Sequence, residues 1–168
     1  MEHPYFEIMY SFHIGDSINV HVVEDNEVII VDNESGHETF FNARQWVRFI
    51  QQIDIIDNAV QWAMTYTPTT FHLHIGHRLY VGVSDRFQNV DIRRWIIRIG
   101  LHVSTETAGI SLTFTQWENL KKVVEQMIDE LPQFNAISPC WHESQHAMES
   151  SECNPTPNPV LYHFLLMY

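Results

Sequence analysis

The chain has 168 residues, 45% apolar and 12% aromatic, enough for one compact core or two small ones. Its formal net charge of −12 argues against strong nonspecific nucleic-acid binding at physiological salt. No apolar run approaches the ~20 residues of a membrane-spanning helix, no basic-then-apolar leader is legible, and two cysteines (Cys140, Cys153) make no disulfide framework, so an intracellular protein is expected.

Residues 1–12 are rich in aromatic and apolar side chains (Tyr5, Phe6, Ile8, Tyr10, Phe12) and read as a first strand or as an arm lying on a sheet. Residues 17–23 alternate, with Ile18, Val20 and Val22 on one face, the period-2 sign of a strand. A polar turn over 24–27 leads to a second strand over 28–31 and a loop over 32–37. Thr39-Phe40-Phe41 is a short strand running into a helix over 43–59. Asn42 is the N-cap, and Gln45 three residues on completes a capping box. Trp46 opens an apolar series, Phe49, Ile50, Ile53, Ile56 and Val60, at helical spacing. Asp54 and Asp57 oppose the dipole near the helix end, so a stop or bend is expected there.

Residues 65–70 form a glycine-free, β-prone linker. Beyond it the pattern predicts a strand over 71–83, a turn over 84–89, a strand over 90–99, and strand and loop over 100–108. Gly109-Ile110-Ser111-Leu112 then ends a strand, with Thr113 and Gln116 as a second capping box. Trp117, Leu120, Val124, Met127 and Leu131 mark one face of a helix that Pro132 ends. From 139 to 159 the composition turns to Ser, Glu, Asn and Pro, which predicts a largely disordered tail. Residues 160–168 are strongly apolar, suited either to docking on the body or to binding a partner.

The chain repeats itself. Trp46 and Trp117 are 71 residues apart, and the openings Phe12-His13-Ile14-Gly15 and Leu73-His74-Ile75-Gly76 are 61 apart. Two copies of one strands-then-helix unit account for both spacings. One such unit cannot bury both its sheet face and its helix face, so the copies are expected to pair. The copies differ in charge. Residues 1–68 hold two basic and eleven acidic residues, residues 69–138 hold seven of each, and residues 139–168 hold three acids and no base. A nucleic-acid face therefore belongs on the second copy.

Arg78, Arg86, Arg93, Arg94 and Arg98 form the basic cluster, with Phe87 and Trp95 among them. Aromatic platforms beside cations suit single-stranded nucleic acid, although arginines that merely solvate a sheet would look alike. Arg93 and Trp95 share one strand parity, Arg94 and Arg98 the other. Trp46 and Trp117, at the helix starts, read as core. His72 and His74 share a strand face, and Cys140, His142, His146 and Cys153 are metal-ligand types, but the spacing fits no common zinc module. No metal and no cofactor is expected. No nucleophile elbow, phosphate-cradling glycine loop or metalloprotease pair is present, so the expectation is a non-enzymatic protein.

The second copy resembles the DNA-binding domain of the positive cofactor four family of transcriptional coactivators. The residues that carry the resemblance are Ile75-Gly76-His77, Tyr80-Val81-Gly82-Val83, Asp91-Ile92-Arg93 with Trp95, and Gly109-Ile110-Ser111-Leu112 with Gln116-Trp117. They span about residues 73–131; the first copy matches through Ile14-Gly15 and Asn42 with Gln45-Trp46. The resemblance implies an α+β fold of two tandem units, each a curved antiparallel sheet followed by a helix, paired as an intrachain pseudo-dimer. The repeats would occupy 1–66 and 67–138, with a tail at 139–168. It further implies a nuclear protein that binds single-stranded or melted DNA and modulates transcription or replication. The residues it places at the nucleic acid are His77, Arg78, Arg86, Phe87, Arg93, Trp95 and Arg98.

Some positions depart from the family. His77, and Asp16 in the first copy, stand where the family has lysine; Thr107-Ala108 replace basic residues; Ile96 stands at the groove tryptophan, with Trp95 beside it. Fewer phosphate contacts predict weak to moderate binding, by the second repeat alone. The alternative is an acidic interaction module that kept the fold, lost the groove, and meets a basic protein partner or imitates nucleic acid. No membrane partner is expected, and further homodimerisation is left open.

Overall fold

A computed structural model describes residues 6–98 and 101–138, without the side chains of 96–98 and 101–108. The first sheet runs β1 (Ile8–Gly15), β2 (Ile18–Val23), β3 (Val28–Asp32) and β4 (Glu38–Phe41). Helices α1 (Ala43–Gln51) and α2 (Ile53–Met64) follow. The second sheet runs β5 (Thr70–Gly76), β6 (Leu79–Ser84), β7 (Asn89–Arg98) and β8 (Leu101–Thr113), followed by α3 (Phe114–Glu130). Both sheets are antiparallel with strands in sequence order, so the fold is α+β with two tandem sheet-plus-helix units.

Both capping boxes form. The Asn42 side chain accepts from the Gln45 amide and Gln45 returns the bond to the Asn42 amide; Thr113 and Gln116 do the same for α3. Each satisfies two of the orphan donors at a helix start. Trp46 and Trp117, one turn in, are fully buried and belong to the core. Trp46 packs with Phe41 and Phe49 at ring distances of 5.1–5.4 Å.

Three expectations are corrected. The segment 71–83 is not one strand but the β5–β6 hairpin, closed by His77-Arg78, both in the left-handed region (φ 47° and 65°). The two-residue turn alone would flip strand parity, but a bulge between His74 and Gly76 restores it, so Leu73, Val81 and Val83 keep their alternation through the hairpin. Residues 101–113 form one continuous strand where a loop was expected before Gly109. The first helix breaks at Gln52 (φ −102°, ψ 3°), just before the two aspartates, and then continues to Met64 rather than ending at residue 59. Ile56, Ala59, Val60 and Ala63 bury along this second segment. The tail, with the cysteine and histidine pattern of 140–153, lies outside the described residues.

Helices of each unit also reach across to the other unit's sheet. Gln45 of α1 donates to Gly76 O (2.7 Å) and Arg48 to His74 O (3.1 Å), both on β5 of the second sheet. Asn119 of α3 donates to Ile14 O (2.9 Å) on β1 of the first sheet. Between the helices, Phe49 meets Trp117 edge-on at 6.1 Å. Asp57 accepts from the Trp117 indole (2.9 Å) and from Lys121 (2.8 Å). Burial alone would raise the Asp57 pKa, but these two donors outweigh it and hold the carboxyl below its ordinary range. The sheets also touch directly: Thr39 donates to Ile92 O and Arg94 to Phe40 O, each at 2.8 Å. The two copies thus share one core in one chain, the intrachain pairing that the repeat implies.

Candidate nucleic-acid interface

Strand alternation puts Leu73, Val81, Ile92 and Ile110 of the second sheet toward the helices. The opposite face carries cross-strand rows of another kind. One row is His72–Gly82–Asp91–Ser111; the next is His74–Tyr80–Arg93–Gly109. A hollow of about 650 Å³ opens on this face. Its lining includes His72, Gly82, Arg86, Phe87, Asp91, Arg93 and Trp95.

Of the seven residues expected at nucleic acid, four therefore come together: Arg86, Phe87, Arg93 and Trp95. His77 and Arg78 do not line the hollow. They form the exposed β5–β6 turn, where Arg78 O accepts from the Trp95 amide at 2.9 Å. The side chain of Arg98 lies outside the described residues. Arg94 is a clamp between the units, with its guanidinium on His77 O and Phe40 O at 2.8 Å each.

Arg93 is held in place. Its guanidinium makes two hydrogen bonds to the Asp91 carboxylate, two residues back on the same face. Gly109, its partner on β8, leaves the room: a Cβ there would sit 2.5 Å from that of Arg93. The ion pair fixes a planar cation beside Trp95 but cancels its net charge. Arg86 lies 5.7 Å from the Phe87 ring centre, and Phe87 is 72% exposed, a platform open to solvent.

His72 and Gly82 were not singled out for this site by sequence. A Cβ on Gly82 would meet the His72 imidazole at 3.3 Å, so the ring occupies the space that the glycine leaves. His72 Nδ1 is buried without a hydrogen-bond partner among the described residues. Burial lowers the His72 pKa, against a smaller opposing pull from Asp91, and so favours the uncharged ring. The Asp91–Arg93 pairing was legible: residues i and i+2 of a strand share a face.

The same rows in the first sheet are Ser11–His21–Ile29–Phe40 and His13–Asn19–Val31–Glu38. Ile29 and Val31 stand where the second sheet has Asp91 and Arg93. Ile29 is 3% exposed, and Phe6 stacks on Phe40 at 6.3 Å. At the positions of Asp91 and Arg93 that face is apolar. No group of three or more metal-ligating side chains occurs among the described residues, and no described helix is long and apolar enough to cross a membrane. No protein-family model, no curated protein and no solved structure matches this chain.

Proposed function

We propose that this chain is a non-enzymatic protein that binds single-stranded or melted DNA through the outward face of its second sheet, in the manner of positive cofactor four, and so modulates transcription or replication. One observation carries the reading. Arg86 and Phe87 from the β6–β7 turn and Arg93 and Trp95 from β7 line one hollow. Aromatic faces offer stacking to any base, and arginines offer charge to the backbone. The equivalent face of the first sheet has Ile29 and Val31 instead, so binding falls to one copy. With Arg93 already neutralised by Asp91, affinity rests more on stacking than on charge.

The test is a fluorescence-anisotropy titration of a labelled oligothymidine at two salt concentrations. Wild type should bind, with a shallow log–log salt slope of about one to two, set by few phosphate contacts. Trp95→Ala should weaken binding by about 1–3 kcal/mol, the worth of one stacked base. Absence of binding at low salt would sink the reading.

A second reading draws on a hollow of about 530 Å³ at the end of β1 and β2, lined by Met9, Tyr10, Glu24 and Asp25 among others. Its apolar floor and acidic rim suit a basic protein segment. It becomes the better account if single strands fail to bind and a basic peptide is retained.

A further inference from the structure

Four exposed large apolar residues, Ile55, Trp62, Met64 and Tyr66, lie on or just after α2. Trp62 is 64% exposed and Tyr66 73%. Both aromatics sit where α2 ends, and that end is tied to the rim of the hollow. Gln88, next to Phe87, donates its side-chain amide to Ala63 O (2.6 Å) and Asp85 O (2.7 Å). On the other side the Thr69 amide donates to the Asp85 carboxylate at 2.8 Å. Thr69, Asp85, Arg86 and Phe87 all line the hollow.

The helix end is rigid. Trp62 O accepts from the Thr65 hydroxyl (2.9 Å) and the Thr67 amide (3.1 Å), and Ala63 O from the Tyr66 amide (3.0 Å). Tyr66 itself adopts the left-handed conformation (φ 56°), uncommon for an aromatic residue. These bonds also occupy carbonyls that would otherwise present the negative end of the helix dipole. Electrostatics point the same way. In a chain of net charge −12, residues 58–84 contain no Asp or Glu. The flanking acids are engaged: Asp57 by Lys121 and Trp117, Asp85 by the Thr69 amide. This stretch spans the end of α2, the linker, β5 and β6, the ground a strand would cross on leaving the hollow past Phe87.

We propose that a bound single strand continues from the hollow over the β6–β7 turn onto the end of α2, where Trp62 and Tyr66 form a second stacking platform. This rests on the single-strand reading above and extends its site. Rigid aromatics with two side-chain torsions lose little entropy on stacking, and past Asp85 in the turn itself, residues 58–84 present no further carboxylate to the phosphates. A protein partner on the same aromatics is the competing occupant. Continuity with the hollow, through the Gln88 bond to Ala63 O beside Phe87, favours the strand.

The experiment compares labelled oligothymidines of about 6 and about 16 nucleotides, lengths that bracket common single-strand site sizes. The W62A/Y66A variant should bind the long probe roughly 5- to 150-fold more weakly, as expected for one stacked base, and the short probe as wild type does. The W62F/Y66F variant should restore most of the loss. Both positions are exposed, and a thermal melt unchanged from wild type confirms the fold. Equal binding of the long probe by wild type and W62A/Y66A overturns the extension while leaving the hollow intact. So does an equal loss on both probes, or a wild-type self-association that W62A/Y66A abolishes without affecting the DNA. Wild type that binds neither probe overturns the single-strand reading, and the extension with it.

Discussion

Replacing Asp57 tests how the two copies are held together. Its carboxylate takes the indole N–H of Trp117 and the ammonium of Lys121. Asp57→Ala leaves the indole N–H of a fully buried tryptophan with no acceptor, at about 1–3 kcal/mol. The Lys121 pair is about a quarter exposed at both ends and adds only about 0–1 kcal/mol. The combined loss is about 1–4 kcal/mol, a drop in Tm of about 2–16 °C for a chain of this length. Thermal melts of Asp57→Ala, Trp117→Phe and the double variant separate the terms. Without the indole N–H, removing Asp57 should cost under about 1 kcal/mol. The pH dependence has a fixed sign. Asp57 is depressed in the folded chain, so its contribution is present above the ordinary carboxylate pKa and is lost as pH falls through the folded value. Wild type and Asp57→Ala should therefore converge in strongly acid solution. Additive melts, or an Asp57→Ala variant as stable as wild type at pH 7, would refute the view that this contact joins the copies.

Other outcomes follow from the interface. Asp91→Asn releases Arg93 from its ion pair, so oligonucleotide binding should tighten and the salt slope steepen by about one in an anisotropy titration. Arg93→Ala should weaken binding with little loss of slope, because it removes a cation already neutralised and leaves Asp91 facing the phosphates. Arg44→Ala should leave binding unchanged, since Arg44 lies on α1 and does not line the hollow. Arg48→Ala should lower the melting temperature, since Arg48 is 8% exposed and bonded to His74 O.

The sequence carried some of this and hid the rest for physical reasons. Capping boxes at Asn42–Gln45 and Thr113–Gln116 are local, so four residues were enough to place both helix starts. The β5–β6 turn was invisible because His77-Arg78 is no turn signature and the bulge beside Gly76 keeps the odd-numbered residues on one face through the hairpin. The reach of the helices to the other unit's sheet depends on contacts such as Asn119 with Ile14 O, more than a hundred residues apart, which no local pattern records. At the candidate site, the resemblance pointed to Arg93 and Trp95, and both line the hollow. It also pointed to His77 and Arg78, which sit at the turn instead. Strand parity already set Arg93 and Arg94 on opposite faces; that Arg94 bridges the two units depends on its bond to Phe40 O, which no local pattern records.

The most direct measurement is photo-crosslinking of a single-stranded oligonucleotide carrying a photoreactive thymine, with the adducts mapped by mass spectrometry. Ultraviolet light joins a stacked base to the aromatic ring beneath it, so the adducts report the binding face itself. The account predicts adducts on Phe87 and Trp95 of the second sheet and none on Phe6 or Phe40 of the first. Adducts confined to the first sheet, or none under conditions where a single strand saturates the protein, would contradict it.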